Sequence, residues 1–225
     1  MTPLSVLLSY DRMITERRRQ PDATCRRILE AAGQLFARRG FDGVGFREIA
    51  ARAKVSLRMP NHHFGSKAEL FGECVRYALI DKLDFPGLFH DSPCFPDTRE
   101  ARAALSSHIR ACFFAIHPPS GRRVWYGEIL ARNLYEQKPE AVAAMQEGFR
   151  PAREWFYAAV RGIDPTMTAD DYLFWYISLW AQVSFYFTAR REILARLGKR
   201  RYDAAFLKAA ADHLVDTMLL QLERR

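Results

Sequence analysis

Three features of the sequence predict an all-α protein. From Asp22 onward, apolar residues recur at three- and four-residue spacing, the period of helices buried on one side. Clusters of Pro and Gly separate these segments, as at Pro86-Gly87, Pro118-Pro119 and Gly162 to Pro165. No stretch shows the alternation of a half-buried strand, and no glycine-rich phosphate loop or internal repeat stands out. The 225 residues are 49% hydrophobic, a globular composition with enough chain for one large or two small cores. No run approaches the ~18 apolar residues of a membrane span. Leu4 to Leu8 is too short for a secretory segment and lacks a basic lead. The expectation is a cytoplasmic protein with no membrane partner.

The net charge of +8 is unevenly placed. Residues 1–76 hold 14 Lys and Arg against 8 Asp and Glu, a balance of +6, while the remaining residues carry only +2. A basic excess on one third of a chain supplies non-specific affinity for phosphate. Cys25, Cys74, Cys94 and Cys112 have no CxxC spacing, so free or buried thiols are expected rather than disulfides or zinc ligands.

Residues 1–21 form a basic tail, with Arg12 and Arg17 to Arg19, closed by Pro21. It is either a disordered leader or an arm adding phosphate or minor-groove contacts. A helix is predicted over 22–39, where Ile28, Leu29, Ala32, Leu35 and Phe36 make the apolar stripe. Arg38 and Arg39 suit its C-terminal dipole end, and Gly40 ends it. Next come two short helices at 46–53 and 57–64. Phe46, Ile49, Ala50 and Ala53 share a face of the first, which Gly45 caps weakly. Ser56 is the expected cap of the second and Gly65 its end. Ser66 with Glu69 makes a capping box for a helix over 66–83. Two short helices joined by a tight break suit duplex reading, the second entering the major groove while the first packs behind it.

Arg27-Ile28-Leu29, Ala31-Ala32, Leu35-Phe36, Gly40-Phe41, Ile49-Ala50, Val55-Ser56, His63-Phe64, Ser66-Lys67 and Glu69-Leu70-Phe71 carry a family resemblance. At this spacing, residues 22–82 resemble the N-terminal DNA-binding domain of TetR-family regulators, with the helix-turn-helix at 45–64. The stretch NHHFGSK is similar to that of the CecR-like branch, and so, more weakly, is the stretch from Glu128 to Val160. The resemblance implies an N-terminal three-helix reading domain and a C-terminal helical ligand-binding and dimerisation domain over 83–225. It implies a homodimer on a palindromic double-stranded operator, released by a small-molecule effector.

Residue by residue, it implies that Arg47 reaches phosphate or a base edge. Ser56, Leu57, Arg58, Met59, Asn61, His62 and His63 match groove-facing or flanking positions, and Lys67 matches a phosphate-contacting lysine. The chemistry agrees: Arg58 can take guanine and Asn61 adenine in bidentate fashion, while Leu57 or Met59 can pack on a thymine methyl. His62 and His63 can contact phosphate, or His63 can pack inward. Zinc is not expected on this histidine pair, since the sequence offers no third ligand nearby.

Two residues depart from the family pattern. Lys54 stands where Gly is usual, at a turn that demands positive φ. Pro60 stands where a bulky aliphatic is usual, and proline deep in a helix costs ~3 kcal/mol or more. The cheaper solution starts the reading helix later, with Pro60 in its first turn and Met59 pushed away from α geometry.

Beyond a loop over 84–98, helices are predicted at 99–117, 121–137, 139–162, 168–196 and 202–223. The stretch from Asp170 to Leu194 is apolar all round, so it is either central to the core or covered by a second chain. With the last helix it would form a four-helix dimer seam. Phe113, Trp125, Tyr126, Trp155, Trp175 and Tyr176, with Glu128 and Asn133 as polar groups, are candidates for an effector cavity. No nucleophile–base set, metal cluster or cofactor fingerprint is visible, so no enzyme activity or cofactor is expected. Set against a ligand-responsive repressor are a helical adaptor that has lost DNA binding and, last, an enzyme using the aromatic cavity.

Overall fold

The computed structural model describes residues 22–89, 93–120 and 124–223. The basic tail predicted at 1–21 lies outside them. The described residues form ten α-helices and no strand: α1 (Ala23–Arg39), α2 (Phe46–Ala53), α3 (Arg58–Phe64), α4 (Lys67–Tyr77), α5 (Thr98–Ile116), α6 (Trp125–Glu136), α7 (Pro139–Ile163), α8 (Ala169–Thr188), α9 (Arg190–Leu197) and α10 (Ala204–Glu223).

Local chemistry explains the first four. Asp22 caps α1 by accepting from the amides of Thr24 and Cys25, both at 2.8 Å. Gly40 closes it at φ 79°, where a side chain would be strained, and its N–H donates to the Phe36 carbonyl at 2.8 Å. Lys54, where the strain on a non-glycine residue left a different turn open, takes the left-handed conformation at φ 55° and ψ 49°. The amides of Lys54 and Val55 then reach back to the carbonyls of Ala51 and Ala50, closing α2 in a Schellman-like turn. At α4 the capping box is complete: Ser66 Oγ accepts from the Glu69 amide at 3.1 Å, and Glu69 Oε2 from the Ser66 amide at 2.7 Å.

The start of α3 corrects two expectations. Ser56 makes no side-chain cap; Leu57 is the cap residue, with helical φ −55° and ψ −29°. Met59 is helical rather than pushed out, its amide donating to the Ser56 carbonyl at 3.0 Å. The physical reason is position. With the helix beginning at Arg58, Pro60 is its third residue, where an amide would lack an intrahelical partner anyway. Helical geometry runs unbroken from Leu57 through Phe64, so the later start expected of Pro60 does not form, and its ring is buried.

Three further elements differ from expectation. The helix from Ser66 does not stay regular to Leu83; after Tyr77 it loosens into a π turn over Ala78–Lys82. A 3₁₀ turn at Pro86–Phe89 interrupts the predicted loop, with Phe85 and Phe89 buried beside it. The long helix expected over 168–196 breaks at Ala189 into α8 and α9.

α4 runs along α7, and α1 packs on both α4 and α6. α5 lies against α7 and α10, and α8 against α10. The α1–α6 and α4–α7 contacts are close enough to require glycine. A Cβ on Gly33 of α1 would lie 2.2 Å from the Trp125 ring of α6, and one on Gly72 of α4 would meet the backbone of Glu140 at 3.0 Å. Polar groups lock the same joint. The Glu136 carboxylate accepts from the Phe41 amide at 2.9 and 3.0 Å. Arg132 donates to the carbonyls of Ala37 and Arg38 at 3.2 and 3.3 Å, satisfying the open end of α1 from another helix. Trp125 Nε1 donates to Glu30 at 3.0 Å, and Lys82 pairs with the same carboxylate.

Candidate nucleic-acid interface

The seven residues of α3 divide cleanly by face. Met59, Pro60, His63 and Phe64 turn inward, while Leu57, just before the helix, and Arg58, Asn61 and His62 are exposed. Those four stand at i, i+1, i+4 and i+5, which is one continuous helix face. Leu57 is 57% exposed. The face thus offers a bidentate cation, a bidentate amide, an imidazole and an apolar group, the set that reads base edges in a major groove. Arg47 and Ser56 are exposed beside it.

α2 holds α3 from behind. Ile49, Ala50 and Ala53 are buried, and Val44 closes the base of the unit. Arg39 pairs with Glu48 at 2.5 Å and Arg52 donates to Gln34 at 2.6 Å, tying α2 to α1 on its outer side.

Two of the expected contact residues point elsewhere. Lys67 donates to the carbonyls of Phe41 and Val44 at 3.1 and 3.3 Å, with its ammonium 4.2 Å from the Phe41 ring centre. Its ammonium thereby satisfies open carbonyls of the turn before α2. His63 packs inward, its Nδ1 3.2 Å from Cys25 Sγ on α1. The resemblance and the spacing could not show this, since Cys25 lies 38 residues away.

Sequence reasoning also missed an open groove of about 590 Å³ between α1 and the end of α2. Arg26, Arg27, Arg52 and Lys54 line it with Glu30, Gln34 and Tyr77. The signal was available as the arginine pair of α1, but which face it took depended on where α2 docked.

The residues expected around an effector do not share one wall. Trp125 belongs to the joint with α1, stacked on Tyr77, and Tyr126 is half-buried beside it. Phe113 packs edge-on against Tyr186. Trp155 stacks on His108 and meets Phe156, which touches Trp175, whose indole N–H donates to the Met218 carbonyl at 3.0 Å. Tyr176 and Trp180 lie side by side, and both bury a polar atom with no hydrogen-bond partner. Burial pushes the Tyr176 hydroxyl up to about 12, so it stays a neutral donor. Asn133 is also buried with an unpartnered Oδ1, and Glu128 is half-buried on the same helix.

Fold and exposed face together define a helix-turn-helix protein with a larger all-α unit behind it. Residues 28–74 match the family described as "Bacterial regulatory proteins, tetR family". The HTH-type transcriptional repressor Rv3405c of Mycobacterium tuberculosis is 42% identical over 75 residues, 32% of this chain and 37% of the relative. The chain therefore spans little more than a third of the length of the curated relatives it matches first. Over nearly the whole chain the fold is that of two solved proteins. A TetR-family regulator from Mesorhizobium loti superposes at TM-score 0.58 with 21% identity, over 89% of this chain and 97% of that one. AibR, solved in complex with isovaleryl coenzyme A and operator DNA, superposes at 0.60 with 16% identity, over 86% and 97%.

Proposed function

We propose that this chain is a transcriptional regulator that binds a palindromic DNA operator as a homodimer and is released by a small-molecule effector. The exposed face of Leu57, Arg58, Asn61 and His62 carries the reading. Arg58 and Asn61 take base edges, Leu57 packs on a methyl, and Arg47, Ser56 and His62 flank the groove. Met59 and His63 support this face from inside, and Lys67 orders the turn that carries α2.

The dimer is supported by α8, which leaves Leu173, Phe174, Ile177 and Phe185 exposed, with Leu220 of α10. Such an apolar strip is the mark of an interface. Two copies joined there would present two reading helices to one operator, at a spacing of ~34–36 Å or a multiple of it. The effector reading is supported by the unpartnered polar atoms of Tyr176, Trp180 and Asn133 in the aromatic interior, and by the acyl-coenzyme A ligand held by the AibR neighbour. An effector acts only through its different affinity for the bound and released forms. The joint of Trp125, Arg132 and Glu136 on α1 is where movement of α6 would reach the reading unit.

The division into a reading domain at 22–82 and an effector and dimerisation domain at 83–225 is part of the same proposal. So are a cytoplasmic location, the absence of enzyme activity and the CecR-like C-terminal branch, since the family match ends at residue 74. Among the described residues, no helix is long and apolar enough to cross a membrane.

Binding of the full chain to duplex DNA from its own upstream region, read by fluorescence anisotropy, tests the reading. A regulator making six or more phosphate contacts loses about 10³-fold in affinity between 50 and 200 mM salt. Arg58→Ala should cost about 1–3 kcal/mol on the preferred duplex and little on random competitor. Equal affinity for both duplexes, or an Arg58→Ala protein with unchanged preference, would sink it.

A further inference from the structure

Asp22, Cys25 and His63 meet where the N-terminus of α1 touches the last turn of α3. One donor atom from each lies within 4.8 Å of the other two. Among the described residues, this is the one group of three or more Asp, Glu, Cys and His side chains close enough to share an ion. Cys25 Sγ and His63 Nδ1 are 3.2 Å apart, and Asp22 caps the helix through Oδ1, which leaves Oδ2 as the oxygen a cation would take.

Metal geometry sets what this cluster can hold. With Zn–S near 2.3 Å and Zn–N near 2.0–2.1 Å, tetrahedral angles put sulfur and nitrogen about 3.5 Å apart. The observed separation is within a few tenths of an ångström, so side-chain adjustment alone closes the site. One thiolate, one imidazole and one carboxylate are a borderline-soft set, matching zinc and its d-block neighbours rather than calcium or magnesium, which take oxygen throughout. Three protein ligands leave a fourth position for water. Asp22 is exposed while Cys25 and His63 are half-buried, so the site is open to an entering ion. A thiol–imidazole hydrogen bond alone also explains the short contact, and the test must separate the two.

We propose that Asp22, Cys25 and His63 bind a zinc-class divalent cation that cross-links α1 to the reading helix. The C-terminal end of α3 favours a cation and the N-terminal end of α1 opposes it, so the ligand set rather than the helix dipoles holds the ion. It fixes the angle between α1 and α3 through side chains the reading face does not use.

The test is cobalt(II) titration of the full chain, reduced and stripped with chelator. A bound thiolate gives a sulfur-to-cobalt charge-transfer band in the near ultraviolet, and tetrahedral coordination gives strong visible bands. Both should saturate at one equivalent per chain and vanish on adding zinc. Cys25→Ser should abolish the charge-transfer band, whereas Cys94→Ser, at an exposed thiol, should keep it. Asp22→Asn preserves the cap but removes the charged ligand, and should weaken cobalt binding by about 10-fold or more. No band at stoichiometric cobalt, a band that survives Cys25→Ser, or unchanged affinity in Asp22→Asn would overturn the site. The readout needs no DNA, so its failure is separate from failure of the proposed function.

Discussion

The reading end and the joint where α1 meets α6 and α4 meets α7 are built on opposite principles. In α3 the single fully buried residue is Pro60, and the helix rests on α2 and α4. At the joint, backbones and rings approach until only glycine fits, at Gly33 and Gly72, and charged side chains of one helix finish the hydrogen bonding of another. Packing of the second kind responds to changes of a single methylene, because protein interiors are close-packed. The first kind leaves side chains free for a partner. The difference places tolerance at the reading face and intolerance where the two parts of the chain meet.

The histidines give the widest contrast and the largest expected effect. His62 is exposed on the reading face, whereas His117 is 5% exposed at the end of α5, its Nε2–H donating to the Val183 carbonyl of α8 at 2.9 Å. Burial pushes the His117 pKa from 6.5 down to about 4. A histidine depressed in the folded state is protonated first in the unfolded chain. Stability is therefore full above about 6.5 and is lost as pH falls toward about 4, where the folded form protonates too. The loss across that window is on the order of 3 kcal/mol. Urea titrations at both ends of the window should show it, and His117→Gln, which keeps a donor for Val183, should remove most of the slope. An equal slope in the variant would place the acid sensitivity elsewhere.

The joint itself comes next in size. Gly72→Leu puts a branched side chain where a Cβ already lies 3.0 Å from the Glu140 backbone. Leucine is the better helix former by about 0.8 kcal/mol, so a gain would be expected on an open helix face. Overpacking outweighs that, and a net loss of about 2 kcal/mol is expected by chemical denaturation. A stabilised Gly72→Leu protein would mean that α4 and α7 are not in contact there.

What the sequence made legible follows the same division. Caps and stripes are local, so Gly40, Gly65 and the Ser66–Glu69 box, with the inward faces of α1 and α2, could be read directly. The family resemblance suggested the reading face; Leu57, Arg58, Asn61 and His62 are exposed there, and their role is a proposal. The joint was illegible because its partners lie far apart in the chain: Gly33 gives no sign of Trp125, nor Phe41 of Glu136, 95 residues on. Nor does anything local to Arg132 announce that it bonds the last carbonyls of α1. The break at Ala189, at φ −94° and ψ 14°, has no Pro or Gly to announce it.

Lys54 is the smallest test and the one aimed at the reading end alone. It is exposed and holds φ 55°, which costs an L-residue roughly 1–2 kcal/mol relative to ordinary helical geometry. Glycine adopts this conformation freely but gives the unfolded chain more entropy to lose, an opposing term of about 0.4–1 kcal/mol. Lys54→Gly should therefore stabilise the protein by about 0.5–1 kcal/mol in urea, because the amides of residues 54 and 55 close α2 whatever the side chain. If the variant were destabilised, the lysine side chain would be holding the α2–α3 turn through its neighbours in the basic groove, and the reading end would resemble the joint after all.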